Sequence, residues 1–195
     1  RDRYGVHLTS LGADFLFYVK RFLAENERLE QFVYDLHGLE VGSIRIGSYT
    51  SVSTAALPEI IKVFHESHPN VDIAIKEGGS DEMESWITDY EVDLGFCSKR
   101  PAFAFDFIHL IHDPMIAVLP PAYEVPADME SFPIAEFNGK PFILSEEGID
   151  YDINNILEKT KTHPDIILSA KDDATIISMV EHGVGLAILP ELSCK

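Results

Sequence analysis

Residues 43–98 read SIRIGSYTSVSTAALPEIIKVFHESHPNVDIAIKEGGSDEMESWITDYEVDLGFCS. Short apolar runs alternate here with stretches of helical rhythm. SIRIGSY, VDIAIKEG and VDLGFCS are rich in Ile and Val and end in Gly, Ser or Tyr, the composition of strands. TAALPEIIKVFHESHP sets Leu57, Ile60, Ile61 and Phe64 on one helical face and stops at Pro69, and SDEMESWITDY makes a second helix. The order βαβαβ predicts a parallel sheet with right-handed crossovers.

The alternation continues beyond it. FDFIHLIHDPMIAVLP predicts two extended runs broken near His112-Asp113-Pro114. PAYEVPADMESFPIAEFNG reads as a long connection with one short helical turn. KPFILSE, YDINNILEKT, DIILSA, DDATIISMVEHG and GLAILP then give strand, helix, strand, helix, strand. The chain is therefore expected to be α/β, with two Rossmann-like lobes joined near Ala117–Pro121 and a cleft between them. There is no internal repeat and no low-complexity tract.

Ahead of these lobes the rhythm is different. Leu8, Phe15, Phe22, Leu29 and Leu36 recur every seven residues, and Leu11, Tyr18 and Phe32 form a second row broken by Glu25. This heptad seam predicts a helix of about 28 residues, near 42 Å long, that Thr9 can cap. Its aromatic seam suits a dimerising linker helix over residues 9–37. The alternative is a helix packed on its own domain.

The net charge is −18. Residues 1–42 carry 5 basic and 7 acidic side chains, against 10 and 26 in residues 43–195, so the excess lies in the lobes. Such a surface repels phosphate backbones and speaks against nucleic-acid binding by this part. It leaves room for a small anion in a local pocket. No apolar run approaches a membrane span, and no secretory signal opens the chain. The two cysteines, Cys97 and Cys194, are far apart and fit a reducing cytoplasm. The absence of an initiating Met suggests a piece of a longer protein.

Ligands of parallel α/β lobes sit beyond the C-terminal ends of strands. There, six of the seven residues from Ser48 to Thr54 carry a hydroxyl. Capping a helix needs one of them, and the rest suit an anion held by hydroxyls and backbone N–H groups. Gly78-Gly79-Ser80 follows the second strand, where Ser80 can cap its helix. Cys97, Ser98, Lys99 and Arg100 follow the third, and the Lys99-Arg100 pair is expected on solvated surface. In the second lobe SEEGIDYD and KDD occupy equivalent places. Glu146, Glu147 and Asp150 have no nucleophile or metal partner in sight, so catalysis is not indicated. The pairs His65/His68 and His109/His112 lack further ligands at a metal spacing. GVGLA follows a helix where a dinucleotide fingerprint follows a strand. No cofactor is expected.

Three motifs in this order resemble one family, the LysR-type transcriptional regulators. RDRYGVHLTSLG is similar to the end of its winged helix-turn-helix, entering the linker helix through LT-x-x-G. Residues 42–96 resemble its first regulatory subdomain, and DDATIISMVEHGVGLAILPE resembles a motif of the second. The resemblance implies a type 2 periplasmic-binding-protein shape: a remnant of the DNA-binding module at 1–8, then subdomains at 43–118 and 119–193. It implies a small-molecule effector, most naturally an organic anion, at Ser48, Tyr49, Thr50, Ser51, Ser80 and Cys97, with Glu147 and Asp173 closing from the second lobe.

It also implies homodimers or tetramers. These would pair through Phe15, Tyr18, Phe22, Leu29 and Leu36 on the linker, and through Leu57, Ile61, Phe64 and Met179 where the helix near Thr54 meets the Thr175–His182 helix of a partner. DNA would be read through the recognition helices that this chain lacks. The family's return to the first subdomain after LPE is also absent, since the sequence stops at Lys195. The rival reading is a solute-binding protein of a transport system. An enzyme on the same bilobal fold has no supporting nucleophile or acid–base pair.

Overall fold

The structure, a computed structural model, describes residues 7–36, 41–100, 103, 105–126, 128–146 and 150–195. Most of the remnant expected at 1–8, and Glu147, lie outside these residues. Helix α1 (Ser10–Leu36) has 27 residues. Thr9 starts it as predicted, its Oγ1 accepting from the Gly12 N–H at 3.0 Å.

The helix presents two faces. Phe15, Tyr18, Phe22, Leu29 and Leu36 are all exposed, Phe22 at 70% and Leu36 at 69%. The opposite stripe is docked. Ala24 is buried. Lys20 Nζ donates to Glu91 at 2.8 Å and Asp89 at 3.3 Å, and Gln31 Nε2 donates to the Val41 carbonyl at 2.8 Å. Glu27 pairs with Arg45 at 3.2 Å. The two sequence readings of this helix are therefore compatible. A polar stripe holds it to its own chain, and an aromatic seam faces outward.

The first lobe runs β1 (Gly42–Ser48), α2 (Thr50–Ala55), α3 (Leu57–Ser67), β2 (Val71–Glu77), α4 (Ser80–Thr88) and β3 (Leu94–Phe96). Its strands are parallel in the order β2-β1-β3, with Gly42 opposite Val71 and Ile46 opposite Leu94. α4 lays Met83 and Trp86 over the sheet, where they bury with Val92. The helix expected as one piece across Thr54–Pro69 is two. Pro58 has no N–H and its ring crowds the carbonyl four residues back, so the chain restarts after Ala56 with Pro58 in the first turn of α3. The first helix also begins at Thr50, earlier than expected.

The second lobe holds β4 (Met115–Val118), β5 (Pro141–Ser145), α5 (Asp150–Thr160), β6 (Asp165–Ala170), α6 (Asp173–Glu181) and β7 (Ala187–Pro190). β5 and β6 are parallel, a Phe142–Leu186 bridge links β5 to the segment entering β7, and β7 runs antiparallel to β4. Ile143, Ile176, Val180, Ala187 and Leu189 fill the α6 side. On the α5 side the long connection supplies core of its own. Tyr123, Phe132, Phe137 and Phe142 form a run of edge-to-face rings with centroids 5.3–5.7 Å apart.

Only one of the two extended runs expected over Phe105–Pro120 is a strand, β4. Ile108 is 84% exposed, and no described strand pairs with Phe105–His112. A strand without a ladder partner has nothing to satisfy its backbone groups. The β4–β7 ladder continues beyond Met115 and Pro190. Glu191 N–H donates to the Pro114 carbonyl at 2.9 Å, and Leu192 N–H donates to Asp113 Oδ1 at 3.1 Å.

Candidate functional site

Because β1, β2 and β3 are parallel, their C-terminal ends share one edge. The register places Ser48 between Glu77 and Phe96. The residues that follow each strand therefore converge. Ser48 is fully buried, and its hydroxyl donates to the Tyr49 carbonyl at 3.0 Å. Tyr49 turns its ring inward, and its hydroxyl shares a short hydrogen bond with Ser80 Oγ, also fully buried.

Burial pushes the Tyr49 phenol up from its ordinary value, against the Ser80 bond that pulls it down. Burial pushes the Cys97 thiol up as well, and the nearby Arg100 opposes it more weakly. Both groups are neutral near pH 7.

Arg100 is the feature that sequence reasoning misplaced. Lys99 is exposed as expected, but Arg100 is buried. Its Nη1 donates to Asp81 Oδ1 at 2.5 Å. Its guanidinium carbon lies 4.5 Å from the centroid of Tyr151 in α5 and 5.8 Å from that of Phe103. A basic pair at a strand end in an acidic chain was a visible signal. The Tyr151 ring that covers Arg100 comes from the other lobe, and sequence spacing cannot supply it.

Other hydroxyls behave differently from expectation. Ser80 does not cap α4. Gly79 takes the cap position, and its N–H donates to Glu82 Oε2 at 3.1 Å, which frees Ser80 to face Tyr49. Tyr49 is the N-cap of α2 and gives it no side-chain bond, because its ring is committed inward. Ser51 is buried, Thr50 is exposed, and Thr54 Oγ1 donates back to the Thr50 and Ser51 carbonyls at 2.9 and 3.2 Å.

In the second lobe, Ser145 ends β5 fully buried, and its hydroxyl has no hydrogen-bond partner among the described residues. Sequence reasoning passed it over. Asp173 is buried in the first turn of α6, and its Oδ2 accepts from Ser193 Oγ at 2.5 Å. Burial pushes its carboxyl up, opposed by Ser193. It is tied to the turn at Glu191–Cys194.

Of the residues expected at a subunit interface, Leu57 is 0% exposed. It belongs to the interior, at the first residue of α3 after the restart at Ala56. Ile61, Phe64 and Met179 are half-buried. Ile60 and Val63 are the exposed apolar residues of α3, lining an open groove of about 680 Å³ with Ala55, Ala56 and Phe64.

Taken together, a buried cation stands among neutral hydroxyl and thiol groups at converging strand ends. Such groups can bind a small anion only in competition with the Asp81 carboxylate already on Arg100. Among the described residues no group of three or more His, Cys, Asp or Glu is placed to hold a metal, and no helix is long and apolar enough to cross a membrane.

The model of the LysR substrate binding domain matches residues 37–195. The chain belongs to that family. The LysR domain here is 28% identical over 194 residues to an uncharacterized HTH-type transcriptional regulator, YvbU, of Bacillus subtilis (strain 168), covering 99% of this chain and 66% of that one. It is 27% identical to a second such regulator of the same organism, YoaU, covering 97% and 65%. The chain thus spans about two thirds of the length of these relatives.

Among solved structures, HinK, a LysR family transcriptional regulator from Pseudomonas aeruginosa, superposes with a TM-score of 0.68 at 24% identity. That match covers 96% of this chain and 66% of that one. The CcmR regulatory domain of Synechocystis PCC6803, solved in complex with 2-PG, gives 0.71 at 15% identity, covering 77% and 73%. These two matches establish the fold. Both Bacillus subtilis relatives are named HTH-type transcriptional regulators.

Proposed function

We propose that the LysR domain is the effector-sensing part of a transcriptional regulator and takes a small organic anion between its lobes. The buried Arg100, covered by Tyr151 across the cleft, carries this reading. Ser48, Tyr49, Thr50, Ser51, Ser80 and Cys97 supply the surrounding wall, and Asp173 and the segment of Glu147 close from the second lobe. That CcmR was solved in complex with 2-PG supports a small ligand for this fold.

DNA is bound through a winged helix-turn-helix preceding residue 9. Residues 9–37 are the linker, and 43–114 and 115–193 the two subdomains, the break expected after residue 118 moving ahead of β4 because β4 pairs with β7. Subunits pair through the aromatic seam of α1 into homodimers or tetramers, and the protein works in the cytoplasm. The ligand acts by binding one arrangement of lobes or subunits better than another.

The test is a thermal-shift screen of small metabolites against the intact protein and its Ser51→Phe variant. A compound that stabilises the wild type and not the variant is the expected result. A ligand that stabilises both equally puts the pocket elsewhere.

A further inference from the structure

We propose that α1 is held to the first lobe by an ionic catch, so that docked and released α1 are two states of the folded chain and charge sets the angle at which the helix leaves the lobe. The consequence rests on reading residues 9–37 as the linker. The catch itself uses nothing of the anion cleft, and its failure leaves that reading untouched.

The contact has little apolar content. Of the apolar side chains described on α1, Ala24 is buried, Val19 is half-buried and the rest are exposed. One methyl removes little area from water. The remainder is polar. Lys20 reaches Glu91 and Asp89 with its side chain 29% exposed and theirs 35%. Glu27 pairs with Arg45 of β1, and Gln31 holds the Val41 carbonyl. Lys20, Ala24, Glu27 and Gln31 are spaced four, three and four, which makes one narrow stripe. Ion pairs this exposed contribute little each and weaken with salt.

The receiving corner is built from the lobe. Where α4 ends, Tyr90 has φ 59°, in the left-handed region that favours glycine. The Glu91 N–H closes that turn on the Trp86 carbonyl at 2.7 Å. Asp89 and Glu91, on either side of Tyr90, are thereby both brought to Lys20. Glu91 is also held by Lys76, and Asp93 by Arg45, all four within the lobe. When Lys20 and Glu27 leave, Glu91 and Asp93 keep these partners. An element with few buried apolar contacts, whose departure leaves such pairs intact, opens without unfolding the rest.

The experiment uses the full chain with Ala24→Cys, and with Ala13→Cys, exposed on the same helix, as the reference. Alkylation by iodoacetamide is followed by peptide mass, which also reports Cys97 of the first lobe. Raising NaCl from about 0.05 M to about 1 M shortens the screening length to about 3 Å. The rate at position 24 relative to position 13 is expected to rise about 3- to 10-fold, the factor that exposed ion pairs supply. Adding Lys20→Gln should raise it already at low salt, with Cys97 unchanged throughout. In the unsubstituted chain a zero-length carbodiimide joins Glu91 to Lys20 or to Lys76. The Lys20 share of these cross-links should fall as salt rises.

If either the rate ratio or the cross-link share stays flat with salt, the catch is overturned and α1 is a fixed part of the lobe. A rise that Cys97 shares overturns it as well, because the lobe is then unfolding and α1 is not leaving alone.

Discussion

The guanidinium carbon of Arg100 lies 4.5 Å from the centroid of the Tyr151 ring, so a cation of the first lobe stacks on an aromatic of the second. Such a contact, partly desolvated, contributes about 0.5–2 kcal/mol. Tyr151→Ala should lower the melting temperature and enlarge the radius measured by small-angle scattering, because the lobes lose a tie. Tyr151→Phe keeps the ring face and should behave nearly as wild type. Equal damage from both replacements would show that the phenol, not the stacked face, matters.

The clasp between α1 and the first lobe depends on the charge of Glu91. Lys20 first, and Lys76 next, hold its carboxyl well below the ordinary 4.5, down to about 2. A lowered acid contributes stability that is complete above the unfolded value and is lost as pH falls through the folded one. Glu91→Gln should therefore melt below wild type at pH 7, and the gap should close between pH 4.5 and about 2. The side chains are partly exposed, so the gap corresponds to about 1 kcal/mol or less and shrinks with added salt. A gap that persists unchanged at pH 2 would rule out ion pairing as its source.

Gly95 lies in β3 directly under α4. A Cβ there would stand 2.6 Å from Met83 Sδ and 3.0 Å from its Cγ. Met83 is fully buried and has little room to yield. Gly95→Ala should cost about 1–3 kcal/mol in denaturant unfolding. Adding Met83→Val in the same chain should recover part of that loss. No recovery would place the cost in the backbone and not in the overlap.

Leu57 and its neighbours on α3 separate interior from surface. Leu57 is 0% exposed, so Leu57→Ala should cost about 2–5 kcal/mol at any protein concentration. Ile60 and Val63 are 51% and 61% exposed. Ile60→Asp should leave the unfolding free energy within about 0.5 kcal/mol. If α3 meets another subunit, sedimentation should show the Ile60→Asp protein shifted toward smaller species. An unshifted distribution would remove α3 from the interface.

The alternation of strands and helices was legible because each lobe is built from local periodicity, and the strand ends at Ser48, Gly78 and Cys97 followed from it. The break at Ala56 was also there to be read, in Pro58, but the apolar face running from Leu57 to Phe64 masked it. What could not be read is direction and partnership. Leu57 and Ile60 look equally apolar in sequence, and only the turn at Ala56 sends one inward. Ser80 looks like a cap until Gly79 takes that place. Tyr123, Phe132 and Phe137 sit in a proline-containing segment without helical or strand rhythm, so their packing on Phe142 had no periodic signal. Arg100 needed Tyr151, fifty-one positions away, to be a buried residue at all.

Asp173 offers a final separation of charge from hydrogen bonding. Burial raises its carboxyl above the ordinary 3.8, the Ser193 hydroxyl pulls it back, and Asp172 adds to the rise. A raised acid favours the fold when protonated, so its contribution is full below pH 3.8 and is lost as pH climbs through the raised value. Above that raised value the fold carries a partly buried negative charge. Asn at this position keeps an oxygen for Ser193 and removes that charge. Asp173→Asn is expected to melt above wild type at pH 7, with the difference vanishing near pH 4. The check is a pair of melting curves over pH 4–7. A variant that melts lower than wild type by the same amount at every pH would mean that both carboxylate oxygens, and not the Ser193 bond alone, hold α6 to the turn at Glu191–Cys194.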